Sequence, residues 1–324
     1  MDVATARALV PAGLQRSPVL ADDAGRRWVR DLPDRVVARC ERWSLELDGS
    51  TPPAHGAFAL VLPVRRDGEP LVLKLSHRLD DARGEVTALR TWDGRGAVRL
   101  LAAADDEDEG DEDGEDALLL ERLDASRPLS RCAPADLGGV AGRLVRELAV
   151  PAPPGTPTTR AEAGAIARTV ADRQRRQGTP VPPEWVQEAV RCADRLQADG
   201  SDLLVHTDLT PDNVLWRPAA AGTPGRWVAI DPKPRAGSPE RALPELLWTL
   251  ADHPATRDVT GFLRSVCAAG QLDEALARDW VVARTVDYWL WAEAVGLTID
   301  PVRCRRVLTA LLRPSAATDA RPPR

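Results

Sequence analysis

Two short apolar segments in the second half of the chain each run into a polar loop, and they constrain the fold more than any other feature. The first reads Leu-Leu-Val-His-Thr-Asp-Leu-Thr-Pro-Asp-Asn over 203–213, and the second reads Trp-Val-Ala-Ile-Asp over 227–231. Apolar runs of this length between turn-forming residues are typical of short buried strands. We expect residues 214–216 to pair with the second run as a hairpin, with Asn213 just before its first strand and Asp231 at its end.

The polar residues of these loops suit one kind of chemistry. Asp208 can accept or orient the proton of an attacking hydroxyl, because a carboxylate within hydrogen-bond reach keeps that oxygen aimed at its target. Asn213 and Asp231 supply the hard oxygen ligands that Mg²⁺ prefers. The spacing therefore predicts phosphoryl transfer with one general base and two magnesium ligands. His206 is expected to shape the loop by hydrogen bonding, and Asp208 taken alone has a structural alternative as a turn cap.

These motifs resemble those of the aminoglycoside phosphotransferase family, and Ile-Asp-Pro-Lys over 230–233 resembles its streptomycin and hydroxyurea kinase branch. The resemblance covers the chain from about Trp43 to about Leu312. It implies an α+β, bilobal protein-kinase-like fold with a small antiparallel-sheet N-lobe and a mostly helical C-lobe. It also implies transfer of the γ-phosphate of ATP, with Mg²⁺, to a hydroxyl of a small and often cationic molecule such as an aminoglycoside, for antibiotic resistance or self-protection.

A kinase needs a lysine on a strand and an acid that holds it, and the first half of the chain offers both. Lys74 interrupts the β-like run Pro-Leu-Val-Leu-Lys-Leu over 70–75. A buried and unpaired ammonium would cost several kcal/mol, so Lys74 is expected to reach a partner and the α- and β-phosphates of ATP. Glu85, in a predicted short helix over 84–92, is that partner. The structural alternatives are a solubilising edge-strand charge for Lys74 and a solvated helix residue for Glu85.

The resemblance also divides the chain. The expected parts are an N-terminal extension over 1–42, an N-lobe over 43–120, a hinge over 121–124, a C-lobe over 125–314 and a disordered tail over 315–324. Adenine is expected to pair with backbone atoms near Glu121 and Leu123. The acidic block over 105–116 repels itself and has little apolar area to bury, which predicts a disordered loop within the N-lobe.

The acceptor is expected to contact acidic side chains of the C-lobe, as the resemblance implies for cationic antibiotics. Asp212 lies inside the loop over 206–213 that carries Asp208, which we call the catalytic loop, and its structural alternative is a loop cap. Asp287 and Glu293 lie on a predicted long helix, where they share faces with tryptophans that have core packing as their alternative. These three residues are the candidate substrate ligands.

Several positions depart from the family pattern. Thr207 replaces the glycine common between the histidine and the aspartate. Gly-Ser-Pro-Glu-Arg-Ala over 237–242 replaces a Gly-Asp-Pro-x-x-Asp pattern whose second acid ordinarily supports the catalytic loop. We therefore predict a rearranged support that uses Glu240 or Glu245. A Gly-x-Gly-x-x-Gly nucleotide loop is absent from the sequence.

Composition excludes several other classes. The 324 residues carry a net charge of −6 without a dense basic stripe, which argues against a nucleic-acid surface. The five cysteines are scattered without CxxC spacing, so neither a zinc site nor a disulfide framework is expected. Neither a secretion signal nor a stretch of ~20 apolar residues is evident. We expect a cytoplasmic monomer or homodimer that does not bind membranes.

Two alternatives stay open at the level of sequence. The irregular glycine loop and the missing acid at Ala242 are compatible with a pseudokinase that binds nucleotide or ligand without turnover. His206, Asp208 and Asp231 also invite comparison with a metal hydrolase site, although the four histidines of the chain show no ligand spacing.

Overall fold

The computed structural model of the protein describes residues 3–77, 82–104, 116–220 and 222–312. The predicted acidic loop, except for Asp116, and the predicted C-terminal tail lie outside these residues. The chain forms two compact units. The first consists of Met1–Ala125 and Trp216–Ile230, and the second of Ser126–Leu215 and Asp231–Arg324. The first boundary falls one residue after the predicted hinge, and residues 216–230 belong to the first unit although a continuous C-lobe was expected.

The first unit contains an antiparallel sheet with strand order β1-β3-β4-β6-β5, in which β2 also pairs with β3. Its strands are β1 (Glu46–Leu47), β2 (Ala54–His55), β3 (Ala59–Arg66), β4 (Glu69–Ser76), β5 (Leu100–Ala103) and β6 (Asp116–Glu121). Alternate residues of β3 and β4 are fully buried, which follows from the period of two along a strand. Lys74 on β4 lies opposite Val61 of β3 and Leu118 of β6.

Helices α1 (Val3–Ala8), α2 (Ala12–Gln15) and α3 (Asp23–Arg42) precede this sheet and share its hydrophobic core. Trp28, Leu32, Val36 and Cys40 recur every four residues along α3, so they form one buried stripe. The carboxylate of Asp22 caps the start of α3. The segment expected to be an N-terminal extension is therefore part of the first unit, and the four-residue spacing is the sequence signal for it.

Helix α4 (Ala82–Trp92) lies between β4 and β5 in the chain. Val86, Leu89 and Trp92 are all buried and form one apolar side of the helix, since their spacing of three residues follows the helical period. The helix carries Glu85 in its first turn.

The predicted hairpin is present as the neighbouring strands β9 (Val214–Arg217) and β10 (Arg226–Ala229), and β7 (Asp124–Pro128) pairs with β9 on its other side. The rings of Trp216 and Trp227 meet edge to face with centroids 5.3 Å apart, a cross-strand aromatic contact that favours this pairing. The hairpin therefore has Asn213 just before its first strand and Asp231 two residues after its second, as the sequence pattern predicts.

The second unit is mainly helical. Its helices are α5 (Pro134–Leu148), α6 (Thr159–Arg176), α7 (Pro183–Leu196), α8 (Leu243–Thr249), α9 (Val259–Gly270), α10 (Glu274–Ala294) and α11 (Asp300–Leu312). Gly142 allows α5 and α9 to approach closely, since a Cβ at this position would lie 2.2 Å from the carbonyl oxygen of Val266. All five cysteines are free thiols. Among the residues that the structure describes, no helix has both the length and the apolar character of a membrane span.

A two-stranded antiparallel sheet of β8 (Leu203–His206) and β11 (Pro234–Gly237) lies within the second unit. His206 is opposite Pro234 in this register, so the residues that follow β8 face those that precede β11. This pairing brings the catalytic loop next to the segment that follows Asp231.

Candidate active site

The loop after β8 is ordered by bonds among its own residues. His206 is buried, and its Nδ1 accepts a hydrogen bond from the backbone N–H of Asp208 at 3.1 Å. The Asn213 side-chain nitrogen donates to the Asp208 carbonyl oxygen at 2.9 Å, and the Thr210 hydroxyl accepts from the Asn213 backbone N–H at 3.3 Å. Because the amide nitrogen of Asn213 is used inside the loop, the side-chain oxygen is the group that suits a cation.

Asp231 follows the end of β10 by two residues and has a left-handed backbone with φ of 53°. Such a conformation is uncommon outside glycine, although aspartate is enriched in it, and strained positions of this kind cluster at functional sites. The preceding strand is fixed, since the Ala229 N–H donates to the Gly96 carbonyl and the Val98 N–H donates to the Ala229 carbonyl, both at 2.8 Å. The strand end thus sets the position of this carboxylate.

The electrostatics of Asp208 suit a general base. Burial raises the pKa of Asp208 to about 6, and the negative charges of Glu245 and Asp231 add to the increase. Lys233, whose Nζ lies 3.5 Å from the Asp208 carboxylate, opposes it. A carboxylate with this pKa is ionised at neutral pH and is a better proton acceptor than an ordinary aspartate. The negative charge of Asp231 therefore acts on Asp208.

Lys74 and Glu85 are brought together in the first unit. The Lys74 Nζ donates to both carboxylate oxygens of Glu85 at 2.8 Å, and both side chains are 9% exposed. The edge-strand and solvated-helix alternatives do not fit a buried pair with this geometry. The arrangement presents one positive charge, held by a strand and a helix, to any phosphate that reaches it.

The candidate adenine-binding backbone lies at the end of β6. The Glu121 N–H donates to the Arg99 carbonyl at 3.1 Å, and the Glu121 carboxylate is bound by the guanidinium of Arg217. Leu123 is half-buried in the two-residue connection between β6 and β7. Within this connection Arg122 donates to the carbonyl oxygens of sheet strands, so the short segment is tied to the sheet.

The three candidate substrate ligands lie in different settings. The exposed carboxylate of Asp212 accepts from the Ser130 hydroxyl at 2.7 Å, in keeping with its loop-cap alternative. Asp287 is bound by the guanidinium groups of Arg173 and Arg284, so its charge is already compensated inside the second unit. The exposed Glu293 accepts from Trp289 Nε1 at 3.0 Å. The structure does not bring the three together.

An aromatic stack on α8 and α10 was not anticipated from the sequence. The ring of Tyr288 lies parallel to Trp248 at 4.4 Å and stacks on Trp291 at 5.4 Å. Burial raises the pKa of Tyr288, and Asp300, which accepts a hydrogen bond from it, and Asp208 add to the increase. The Tyr288 hydroxyl therefore lies within electrostatic range of the candidate base. Spacing of aromatics on one helix gave too little information to connect them with a distant loop.

The support of the catalytic loop also differs from the prediction. Glu240 accepts from the Asp273 backbone N–H at 2.8 Å and so caps a neighbouring helix. Glu245 instead binds Arg241, whose guanidinium reaches the catalytic loop. Ala242 itself is buried. The predicted Glu245 thus takes part in the support, but it acts through Arg241, a role for an arginine that the missing acid at Ala242 does not indicate.

Solved structures with a similar fold are phosphotransferases. The aminoglycoside phosphotransferase APH(4)-Ia, in a ternary complex with ADP and hygromycin B, matches with a TM-score of 0.56 and 14% identity over 85% of this chain and 97% of that one. An ethanolamine kinase from Plasmodium vivax matches with a TM-score of 0.54 and 12% identity over 97% of this chain and 95% of that one. These likenesses show that the chain has a protein-kinase-like fold.

Sequence comparison places the chain more narrowly. Residues 42–296 match the model of the aminoglycoside/hydroxyurea antibiotic resistance kinase family. A hydroxyurea phosphotransferase from Kitasatospora aureofaciens is 38% identical over 89% of this chain and 81% of its own length. Streptomycin 6-kinases from Streptomyces glaucescens and Streptomyces griseus are 36% and 34% identical, over 86% and 94% of this chain and 89% and 97% of their own lengths. The chain belongs to the aminoglycoside/hydroxyurea antibiotic resistance kinase family and is a kinase, so the metal hydrolase and pseudokinase alternatives have no support.

Proposed function

We propose that the protein transfers the γ-phosphate of ATP, with Mg²⁺, to a hydroxyl of a small molecule, a streptomycin-like aminoglycoside, and so serves resistance or self-protection. The observation that carries this proposal is the loop pair in the second unit. Its two segments are joined by the bond from the Thr207 N–H to the Lys233 carbonyl, Asp208 has a pKa of about 6, and the Asp208 carbonyl is bonded to Asn213. The streptomycin 6-kinases named above support the choice of acceptor.

Asp208 is the general base of the proposed reaction. The acceptor oxygen forms a bond to the γ-phosphorus while the bond from that phosphorus to the bridging oxygen breaks, which releases ADP. The acceptor proton passes to the Asp208 carboxylate, which is ionised at neutral pH. The backbone bond from Asp208 to His206 keeps the loop in the conformation that presents this carboxylate.

The residues present fit a magnesium ion. Asn213 has an amide oxygen in a fixed loop, and Asp231 has a carboxylate on a fixed strand end, both of them hard ligands. No group of three or more His, Cys, Asp or Glu side chains in the described part of the chain is arranged to hold a metal. Two protein ligands agree with the habit of Mg²⁺ to keep waters and substrate phosphates in its shell. When bound, the ion would neutralise charge on the phosphates.

Lys74 is proposed to bind the α- and β-phosphates of ATP, with Glu85 fixing its position. Adenine is proposed to pair with backbone atoms near Glu121 and Leu123.

Asp212 and Glu293 stay proposed as acceptor ligands, whereas the two arginines on Asp287 favour a structural role for that residue. Trp291, which is 48% exposed at the end of the aromatic stack, adds a ring face that suits a cationic group.

The test is direct detection of product. Purified protein would be incubated with ATP and Mg²⁺ and with streptomycin, hydroxyurea or hygromycin B, and each compound would be analysed by mass spectrometry. We expect one compound to gain one phosphoryl group with release of one ADP. The proposal fails if no compound in a broad panel of hydroxylated amines is modified while the protein binds nucleotide.

A further inference from the structure

Thr207 lies between His206 and Asp208 and connects the catalytic loop to two other parts of the second unit. Its backbone N–H donates to the Lys233 carbonyl oxygen at 3.0 Å, and its side-chain hydroxyl donates to the same oxygen at 2.8 Å. Its own carbonyl oxygen accepts from a guanidinium nitrogen of Arg241 at 3.4 Å. Thr207 is 7% exposed, so these contacts are largely shielded from water.

The first connection links the two carboxylate-bearing segments. Lys233 follows Asp231 by two residues, and Thr207 precedes Asp208 by one. The pairing of β8 with β11 brings the two segments side by side, and the Thr207 hydroxyl adds a second bond to the one that the backbone already makes. A shift of either segment would lengthen both bonds at once.

The second connection leads to a buried charge network. Arg241 has a 2% exposed side chain, and its guanidinium donates to both oxygens of Glu162 at 2.8 Å. It also donates to both oxygens of Glu245, at 2.7 and 3.1 Å. Burial alone would raise the pKa of Glu162, but Arg241, Arg284 and Arg235 outweigh it and hold the pKa at about 2. Both acids are thus available to fix the plane of Arg241.

We infer that Thr207 and Arg241 are positioning residues that hold Asp208 in register with Asp231. The inference rests on the proposed function, since it assigns them no contact with substrate. Arg241 fixes the loop from the side of the helices, and the Thr207 hydroxyl fixes it to the segment that carries the metal ligand. Each acts through the backbone and not through its own chemistry.

The decisive variants are Thr207→Val and Thr207→Ser. Valine keeps the shape of threonine but removes the hydroxyl, and the Lys233 carbonyl retains the backbone N–H of residue 207, so the fold is expected to persist. One hydrogen bond corresponds to a loss of about 3- to 10-fold. We expect Thr207→Val to lower kcat by that factor and to raise the Mg²⁺ concentration needed for half-maximal rate, with the acceptor KM unchanged. Thr207→Ser should stay within about twofold of wild type, since it keeps the bond.

Arg241 is tested with a matched control. Arg241→Lys keeps the charge but loses the planar fork that reaches two acids and a carbonyl together. Arg195→Lys makes the same change at another arginine of the second unit, which binds Asp279 through two 2.7 Å bonds but has no described contact with the catalytic loop. We expect Arg241→Lys to lower kcat and raise the Mg²⁺ requirement, and Arg195→Lys to change neither.

A readout without turnover separates this inference from the proposed function. Hydrogen exchange of the peptide that covers residues 203–213 should be faster in Thr207→Val than in wild type or Thr207→Ser. If wild-type protein phosphorylates no acceptor, the proposed function fails and the exchange rates still test the inference. Equal exchange and equal kcat in Thr207→Val and wild type, or equal impairment of Thr207→Val and Thr207→Ser, would overturn it.

Discussion

Lys74 and Asp208 are both candidate functional residues, but they are held in different ways. Lys74, in the first unit, is fixed by one direct ion pair with Glu85, which comes from a helix that follows eleven residues later in the chain. Among the described residues, Asp208 in the second unit has no partner bonded as closely as Glu85 is to Lys74. Its nearest described counter-charge, Lys233, is 3.5 Å away, and its loop is fixed by backbone bonds that lead to a buried arginine.

The comparison shows two ways to fix a polar group. A pair of buried charges is specific but depends on both members, because removal of one leaves the other buried and unpaired, at a cost of about 3–5 kcal/mol. A loop held by several backbone bonds and by Arg241 divides the same task among many contacts. Substitution of Lys74 or Glu85 should therefore have a larger effect than substitution at any single contact of the Asp208 loop.

The largest effect that we expect on a Michaelis constant belongs to Lys74→Met. Loss of a charged hydrogen-bond donor to phosphate should raise the KM for ATP by on the order of 10- to 100-fold, while the acceptor KM changes little. Steady-state kinetics with ATP varied at saturating acceptor would measure it. The single variant should also be less stable, since the buried Glu85 carboxylate loses its ion pair with Lys74.

The double variant Lys74→Met, Glu85→Gln separates these effects. It also removes the buried charge of Glu85, so the melting temperature should recover toward wild type while the KM for ATP stays high. Recovery of nucleotide binding together with stability would show that Lys74 acts only as a structural partner of Glu85.

The ionisation of Asp208 should change kcat/KM tenfold per pH unit in acid. Its pKa is raised by burial, Glu245 and Asp231 and is lowered by Lys233, to about 6. Because the base must be ionised, kcat/KM should be constant above this pH and fall tenfold per unit below it. Glu245→Gln removes a charge that raises the pKa, so its acid limb should move to lower pH. A limb near pH 4 in the wild type, or a shift in the opposite direction in Glu245→Gln, would contradict the assignment.

The smallest effect is expected for Trp291→Ala. An exposed ring face contributes about 1 kcal/mol to cation binding, so the KM for a cationic acceptor should rise about 5-fold with kcat and the KM for ATP nearly unchanged. Val19→Ala is a suitable control, because Val19 is similarly exposed, at 45%, but lies in the first unit. An unchanged acceptor KM in Trp291→Ala would remove this residue from the acceptor site.

Features that depend on local sequence patterns are the ones that could be predicted from the sequence. The hairpin after Asn213, the lysine strand and the buried face of α4 follow from local periodicity, and the partnership of Lys74 with Glu85 needed only one contact between neighbouring elements. The antiparallel sheet and the helical second unit follow from the same patterns and from the family resemblance.

The remaining features depend on contacts that no local pattern specifies. Arg241 contacts Glu162, which is 79 positions away in the chain. The missing acid at Ala242 indicates another acid as the support, so it does not indicate an arginine. The α3 stripe was visible as a four-residue spacing but lay outside the region of family resemblance. Asp287 is bound by one distant arginine, Arg173, which is 114 positions away, and by Arg284, which precedes it by three residues and could have been noticed from its spacing.

The most direct test of the account is to measure nucleotide binding and phosphoryl transfer separately in Asp208→Asn. Asparagine keeps the shape of the side chain and removes the base. We predict that calorimetric affinity for Mg²⁺ and a non-hydrolysable ATP analogue stays within about threefold of wild type, while single-turnover transfer falls by on the order of 10²- to 10⁴-fold. Transfer at the wild-type rate, or a loss of transfer that merely follows a loss of nucleotide affinity, would contradict the role of Asp208 as the base.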